Sequence, residues 1–73
     1  MKHLFTSNGW RITQNEDLMQ YPFFSIDRFY PSRGWVAFKS PVLDLQLCFL
    51  WLYRWGFIGE EEYNHQISLI EKR

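Results

Sequence analysis

The chain has 73 residues, which is enough for one small domain over residues 1–73. Domains of this size bury only about 60% of the surface that their unfolded chains expose, so a partner that covers more surface adds needed stability. Eight acidic and eight basic side chains give a formal net charge of zero. That balance excludes the strongly basic footprint of a non-specific nucleic-acid-binding domain. A single cysteine excludes an internal disulfide.

The first half of the chain is typical of β-strands. Residues 1–8 are expected to form a loose N-terminal segment. Trp10–Gln14 then alternates large apolar with polar side chains, and Phe23–Tyr30 and Gly34–Lys39 are rich in β-prone residues. Between the last two strands, Pro31–Gly34 predicts a turn because proline fixes φ and glycine accepts the exit conformation. The second and third predicted strands therefore form a hairpin.

Alternation along these strands assigns side chains to two faces of the predicted sheet, because successive residues point to opposite sides. One face collects only apolar residues and is expected to be core: Trp10, Ile12, Phe24, Ile26, Val36 and Phe38. The other face collects a mixed set: Arg11, Thr13, Ser25, Asp27, Phe29, Trp35, Ala37 and Lys39. A mixed face is expected where one side of an antiparallel sheet is open to solvent.

The second half of the chain predicts two helices. Ser40-Pro41 is a start signal, since serine caps free amides and proline suits the first helical turn. The first helix is predicted over Val42–Trp55 and ends before Gly56. Its few polar residues lie on different sides, so the helix has no continuous polar face and needs cover on at least two sides. The second helix is predicted over Glu60–Lys72, with acidic residues at its start and basic residues at its end.

The predicted architecture is α+β, a three-stranded antiparallel sheet followed by two helices packed on one face (β-β-β-α-α). The uninterrupted apolar run Leu47–Tyr53 is far shorter than the roughly 20 residues that cross a bilayer, so no membrane span is expected. The apolar residues at the start of the chain end at Phe5, and polar residues follow. This apolar stretch is too short for the core of a signal peptide, so no signal peptide is expected. We therefore expect a cytoplasmic protein.

The sequence contains no recognisable catalytic or metal-binding pattern. Cys48 lies in an apolar run and is expected to be a buried, unreactive thiol. The four glycines are single and turn-like, which does not suggest a phosphate-binding loop. Glu61 and His65 are one helical turn apart but have no third ligand nearby. We expect no enzyme activity, no metal and no cofactor.

The segment Arg33–Phe38 begins like the basic-Gly-aromatic strand signature of the RNA-recognition motif. It departs at Val36, where that family has a small residue, and at Ala37, where it has a second stacking aromatic. The resemblance implies weak stacking of a single-stranded nucleic acid on Trp35, with Phe29 on the adjacent strand.

A second resemblance involves Gly56–Tyr63, which is similar to the short bacterial helical module called SHOCT, except that Gly59 stands where that module has a hydroxyl residue. The likeness implies a helix stop, an apolar plug at Ile58 and an acidic helix start, and it implies no activity. In size and aromatic content the chain also resembles small proteins of phages and mobile elements. Some of these, including anti-CRISPR proteins, act by covering a surface of a host complex.

The chain contains seven Phe, four Tyr and four Trp, more rings than so small a domain can enclose. Some are expected at the surface, where aromatic side chains anchor protein interfaces. We predict a non-enzymatic protein-binding module, of the type of a phage inhibitor or adaptor. The predicted partner-binding residues are Arg11, Phe29, Trp35 and Lys39 on the open sheet face and Glu60, Glu61 and Glu62 at a helix start. The alternatives are weak single-stranded nucleic-acid binding by the same face, or a homo-oligomer, such as a homodimer through Val42–Trp55.

Overall fold

A computed structural model describes residues 1–72 as four antiparallel strands followed by two helices. The strands are β1 (Lys2–Ser7), β2 (Trp10–Glu16), β3 (Pro22–Tyr30) and β4 (Gly34–Val42), and the helices are α1 (Leu45–Arg54) and α2 (Glu60–Glu71). The strands lie in the sheet in the order β1-β2-β3-β4. The α+β class, the antiparallel sheet and the two helices are confirmed. The prediction of three strands is wrong.

The additional strand comes from the segment 1–8, which was expected to be loose. Ser7 lies opposite Trp10, and Asn8 and Gly9 adopt positive φ values of 51° and 80° between them. Asn-Gly with both φ values positive forms the two-residue turn that best matches strand twist, so β1 and β2 form a tight hairpin. The Asn-Gly pair was the overlooked signal in the sequence.

The hydrophobic core lies between one face of the sheet and the helices. Its buried apolar side chains are Trp10, Ile12, Ile26, Val42, Cys48, Phe49, Leu52 and Ile58. Half-buried side chains from α2, among them Tyr63, Ile67 and Ile70, pack against this cluster. Helix α1 packs on this face of the sheet, and α2 packs beside α1 with half-buried side chains against the same cluster. Trp10, Ile12 and Ile26 are buried as the alternation predicted.

Strand β4 does not follow the simple alternation, because its pairing with β3 is irregular. Asp27 lies opposite Ala37, whereas the neighbouring Ile26 lies opposite Lys39. Phe38 is therefore an extra residue in β4, which is a β-bulge. An extra residue shifts every following side chain to the other face, and a second irregularity follows between Ile26 and Phe24.

The structure around the bulge corrects one predicted core residue and one face assignment. The ring of Phe38 lies 5.1 Å from that of Trp10 on the helix side, but Phe38 is 53% exposed and is not the core residue that was predicted. The Nζ atom of Lys39 lies 5.0 Å from the ring centroid of Trp51 in α1. Lys39 therefore lies on the helix side of the sheet, and its predicted place on the open face is wrong.

Helix α1 begins at Leu45, three residues later than predicted, because Ser40 and Pro41 belong to β4. Asp44 is the N-cap, and its Oδ1 accepts a hydrogen bond from the backbone N–H of Gln46 at 2.9 Å. Aspartate caps a helix as well as serine does, so the sequence offered two competing start signals four residues apart. The predicted stop is confirmed: Gly56 follows the C-cap with φ of 82°.

Candidate partner-binding surface

The sheet face away from the helices contains a buried polar network centred on Asp27. Asp27 lies opposite Arg11, and its side chain is 8% exposed. Its Oδ2 accepts hydrogen bonds from Thr13 Oγ1 at 2.7 Å and from Arg11 Nε at 3.1 Å, and its Oδ1 accepts one from Ser25 Oγ at 2.5 Å. Both carboxylate oxygens therefore have donors, which a buried charge requires.

Strand register brings these four side chains together. Arg11 pairs with Asp27, and Thr13 pairs with Ser25 two residues further along β2. All four point to the same face because residues two apart in a strand share a face. The sequence predicted this face as open to solvent, but Thr13, Ser25 and Asp27 are buried. The sequence did contain a signal for this network. When Arg11 is placed opposite Asp27, Thr13 falls opposite Ser25, and complementary polar side chains then lie in neighbouring cross-strand pairs.

Two aromatic side chains lie beside this network, near the β3–β4 turn. Phe29 and Trp35 are cross-strand partners whose ring centroids are 5.4 Å apart at an interplanar angle of 60°. The guanidinium carbon of Arg11 lies 4.4 Å from the Trp35 ring centroid, within cation–π distance. Phe29 is 44% exposed and Trp35 is half-buried. We call Arg11, Phe29 and Trp35 the open-face site.

The remaining predicted site residues lie elsewhere. Lys39 is on the helix side of the sheet, over the Trp51 ring. Glu60, Glu61 and Glu62 form the first turn of α2, where their charges favour the helix N-terminus. The structure thus brings three of the predicted residues together and places the other four on the helical side.

A further exposed surface was not predicted. In the β2–β3 loop, Leu18 is fully exposed, Met19 is 74% exposed and Tyr21 is 64% exposed. The Oδ1 atom of Asp17 accepts hydrogen bonds from the backbone N–H groups of Met19 and Tyr21, both at 2.9 Å. Asp17 therefore gives this apolar loop a defined shape, a role that is typical of aspartate in turns.

The structure also describes the surroundings of the groups with chemical potential. Burial, with a smaller effect from the nearby charge of Asp44, raises the pKa of the Cys48 thiol from its ordinary value of 9.0 to about 12. The thiol is therefore protonated and unreactive at neutral pH. Within residues 1–72 there is no group of three His, Cys, Asp or Glu side chains that could hold a metal ion. In the same range, no helix has the length and apolar character to cross a membrane.

No protein-family model, curated protein or solved structure matches this chain. The resemblances to SHOCT and to the RNA-recognition motif therefore stay predictions. For the SHOCT-like segment the structure gives the local geometry: Gly59 is the N-cap of α2 and makes no side-chain hydrogen bond there.

Proposed function

We propose that this protein is a non-enzymatic protein-binding module that contacts its partner through the open-face site. The observation that supports this proposal most is the exposed Phe29 ring beside Trp35 and Arg11 on the sheet face away from the helices. Tryptophan, arginine and other large aromatic side chains are the residues that contribute most to binding at protein interfaces.

Pre-organisation is the physical advantage of this site. Arg11 is held at its Nε by Asp27 and at its face by Trp35, so its side chain has little freedom left to lose. Trp35 is in turn supported by Arg11 and by the Phe29 ring. A partner that binds such side chains does not have to order them, and the entropic cost of association is correspondingly lower.

The open-face site suits a partner protein with a broad binding surface better than it suits a small molecule. The open-face site lies on a sheet face that the helices leave free, whereas small-molecule sites are concave. Small size, high aromatic content and this free face together support the finer proposal of a phage-type inhibitor or adaptor that covers part of a host protein complex.

Binding of a single-stranded nucleic acid by the same face is the second candidate. The neighbouring rings of Phe29 and Trp35 favour it, since bases stack on such platforms. The charges weigh against it, because Asp27 compensates Arg11 and Lys39 lies on the other face. A fluorescent oligonucleotide titrated at rising salt tests this candidate: nucleic-acid binding weakens steeply with salt, and a mainly aromatic protein interface does not.

Affinity capture with variants of the full chain tests the main proposal. We expect the wild-type protein to retain a defined partner from its native cell, and Phe29→Ala to lose it. Tyr21→Ala is the matched control, because Tyr21 is an exposed aromatic residue on a different surface. Loss of the partner with both variants, or with neither, contradicts the proposal. Circular dichroism on each variant verifies that the fold is retained.

A further inference from the structure

The helix side of the molecule has a second surface. It is formed by four aromatic side chains and one leucine, which the rest of the chain covers only in part. Its contacts are continuous: the Trp51 and Trp55 rings are 5.5 Å apart, and Phe38 is 5.4 Å from Trp55. Phe57 follows at 6.4 Å from Trp55. We call this surface the helix-side strip, and it consists of Phe38, Leu47, Trp51, Trp55 and Phe57.

Much of the strip is in contact with water. Phe38 is 53% exposed, Leu47 is 43% exposed and Phe57 is 37% exposed. Leu47 and Trp51 are four residues apart on α1 and therefore lie on one face of the helix. A contiguous apolar patch of this kind on a small domain marks an interaction surface.

Positive charges lie on this surface. Lys39 Nζ is 5.0 Å from the Trp51 ring centroid, and the guanidinium carbon of Arg28 is 5.8 Å from the Phe57 ring centroid. In the part of the chain that the structure describes, neither Arg28 nor Lys39 forms a salt bridge. Lys39 is also exposed, so its ammonium group is accessible to an acidic group from outside the molecule.

Two exposed glutamates lie close to the strip along the chain. Glu60 and Glu61 are exposed, and they follow Phe57 by three and four residues. Because a residue spans at most about 3.6 Å of chain, the Cα of Glu60 lies within about 11 Å of the Phe57 Cα. Across residues 1–72, these glutamates form no salt bridge either. Exposed carboxylates therefore follow the strip directly along the chain, and the exposed Lys39 lies over its Trp51 ring.

We propose that the helix-side strip binds a second copy of this chain in a two-fold symmetric dimer. In such an interface the same patch meets itself, so it must contain both partners of every contact. The rings of one copy face those of the other, and Lys39 of each copy meets the Glu60–Glu61 turn of the other. A polyanion such as nucleic acid fits this surface less well, because Glu60 and Glu61 repel it.

The size of the strip sets the strength of this dimer. With its flanking charges the strip is smaller than the roughly 20–30 residues a side of a standard interface, so a weak dimer is expected, with a micromolar Kd. The open-face site lies on the opposite face of the sheet from the helices. Each dimer therefore presents two open-face sites, and a partner with repeated subunits binds it with increased avidity.

Sedimentation equilibrium of the full chain tests the dimer without knowledge of any other partner. We expect a monomer–dimer equilibrium of the 9.0 kDa chain. Lys39→Glu alone and Glu61→Lys alone each place like charges opposite one another, so each variant is expected to raise the Kd about tenfold. An equimolar mixture of the two variants is expected to recover dimer formation, because every reversed charge then faces its opposite.

The controls separate an interface effect from a folding effect. Lys2→Glu reverses an exposed lysine in β1, away from the strip, and is expected to leave the Kd unchanged. Recovery in the mixture cannot result from misfolding of either variant. A wild-type chain that stays monomeric up to about 500 µM, well above a micromolar Kd, overturns the proposal. A mixture that dimerises no better than its separate components also overturns it.

Discussion

The two faces of the sheet are stabilised in different ways. On the helix side, Ile12, Ile26 and Leu52 are completely buried among other apolar groups. On the open side, the buried carboxylate of Asp27 is stabilised by three hydrogen-bond donors. Apolar packing is non-directional and tolerates exchange of similar groups, whereas a buried charge depends on each of its partners. The face without helices is therefore stabilised by a few specific contacts around Asp27.

The largest expected effect concerns Cys48 on the helix side. A pKa of about 12 instead of 9.0 lowers the thiolate fraction at pH 8 about a thousandfold. We expect Ellman's reagent to modify native Cys48 at least that much more slowly than the chain unfolded in urea at the same pH. A difference below about tenfold would show that the helix-side core opens frequently.

The same pKa shift gives a pH dependence of stability. The fold favours the protonated thiol, so this contribution is fully present below pH 9 and is lost as the pH rises towards 12. We expect the free energy of unfolding of the wild type to fall more steeply above pH 9 than that of Cys48→Ala. Urea titrations at pH 8 and pH 10 measure the difference, and equal slopes contradict it.

The next largest effect is loss of core packing. Leu52 is completely buried in α1, and Leu52→Ala removes its contacts and leaves a cavity. We expect a loss of about 3–4 kcal/mol in the free energy of unfolding, measured by urea titration. Leu69→Ala is the control, since Leu69 is 41% exposed, and it is expected to cost less than about 1 kcal/mol. Similar costs for both variants contradict the described core.

The open face is tested by removal of its central charge. Asp27→Ala leaves Arg11 and two hydroxyl groups without their acceptor, and we expect a loss of about 2–3 kcal/mol. A double-mutant cycle with Arg11→Ala should show coupling above about 1 kcal/mol, because the pair is largely buried. Additive single effects contradict the network and would place Asp27 in contact with water.

The smallest expected effect on stability is that of Phe29. Its ring is 44% exposed, and Phe29→Ala is expected to change the free energy of unfolding by less than about 1 kcal/mol. The loss of partner binding should be complete, so this variant separates binding from folding. A loss of stability comparable to that of Leu52→Ala would show that Phe29 belongs to the core instead.

Local sequence signals predicted those parts of the fold that depend on few residues. The β3–β4 turn is confirmed, with a hydrogen bond from Arg33 N–H to the Tyr30 carbonyl at 3.0 Å and Gly34 at φ of 76°. The helix stop at Gly56 is a signal of the same kind. Arg11, Phe29 and Trp35 were also grouped correctly, because regular alternation holds in β4 as far as Ala37, before the bulge.

Features that depend on register were not predictable in this way. The bulge at Phe38 moves Lys39 to the other face, and alternation alone contains no information about an inserted residue. The contacts of Asp27 depend on which residues of β2 lie opposite it, which a single strand does not reveal. Both features become visible only when the pairing between strands is known.

Site-specific photo-crosslinking in the native cell tests most directly whether the two faces of the molecule contact different partners. A photoreactive phenylalanine is placed at position 29 in one variant and at position 47 in another. We expect position 29 to link to a different protein and position 47 to yield a product of twice the chain's mass. Absence of an adduct from position 29, or the same product from both positions, contradicts this expectation.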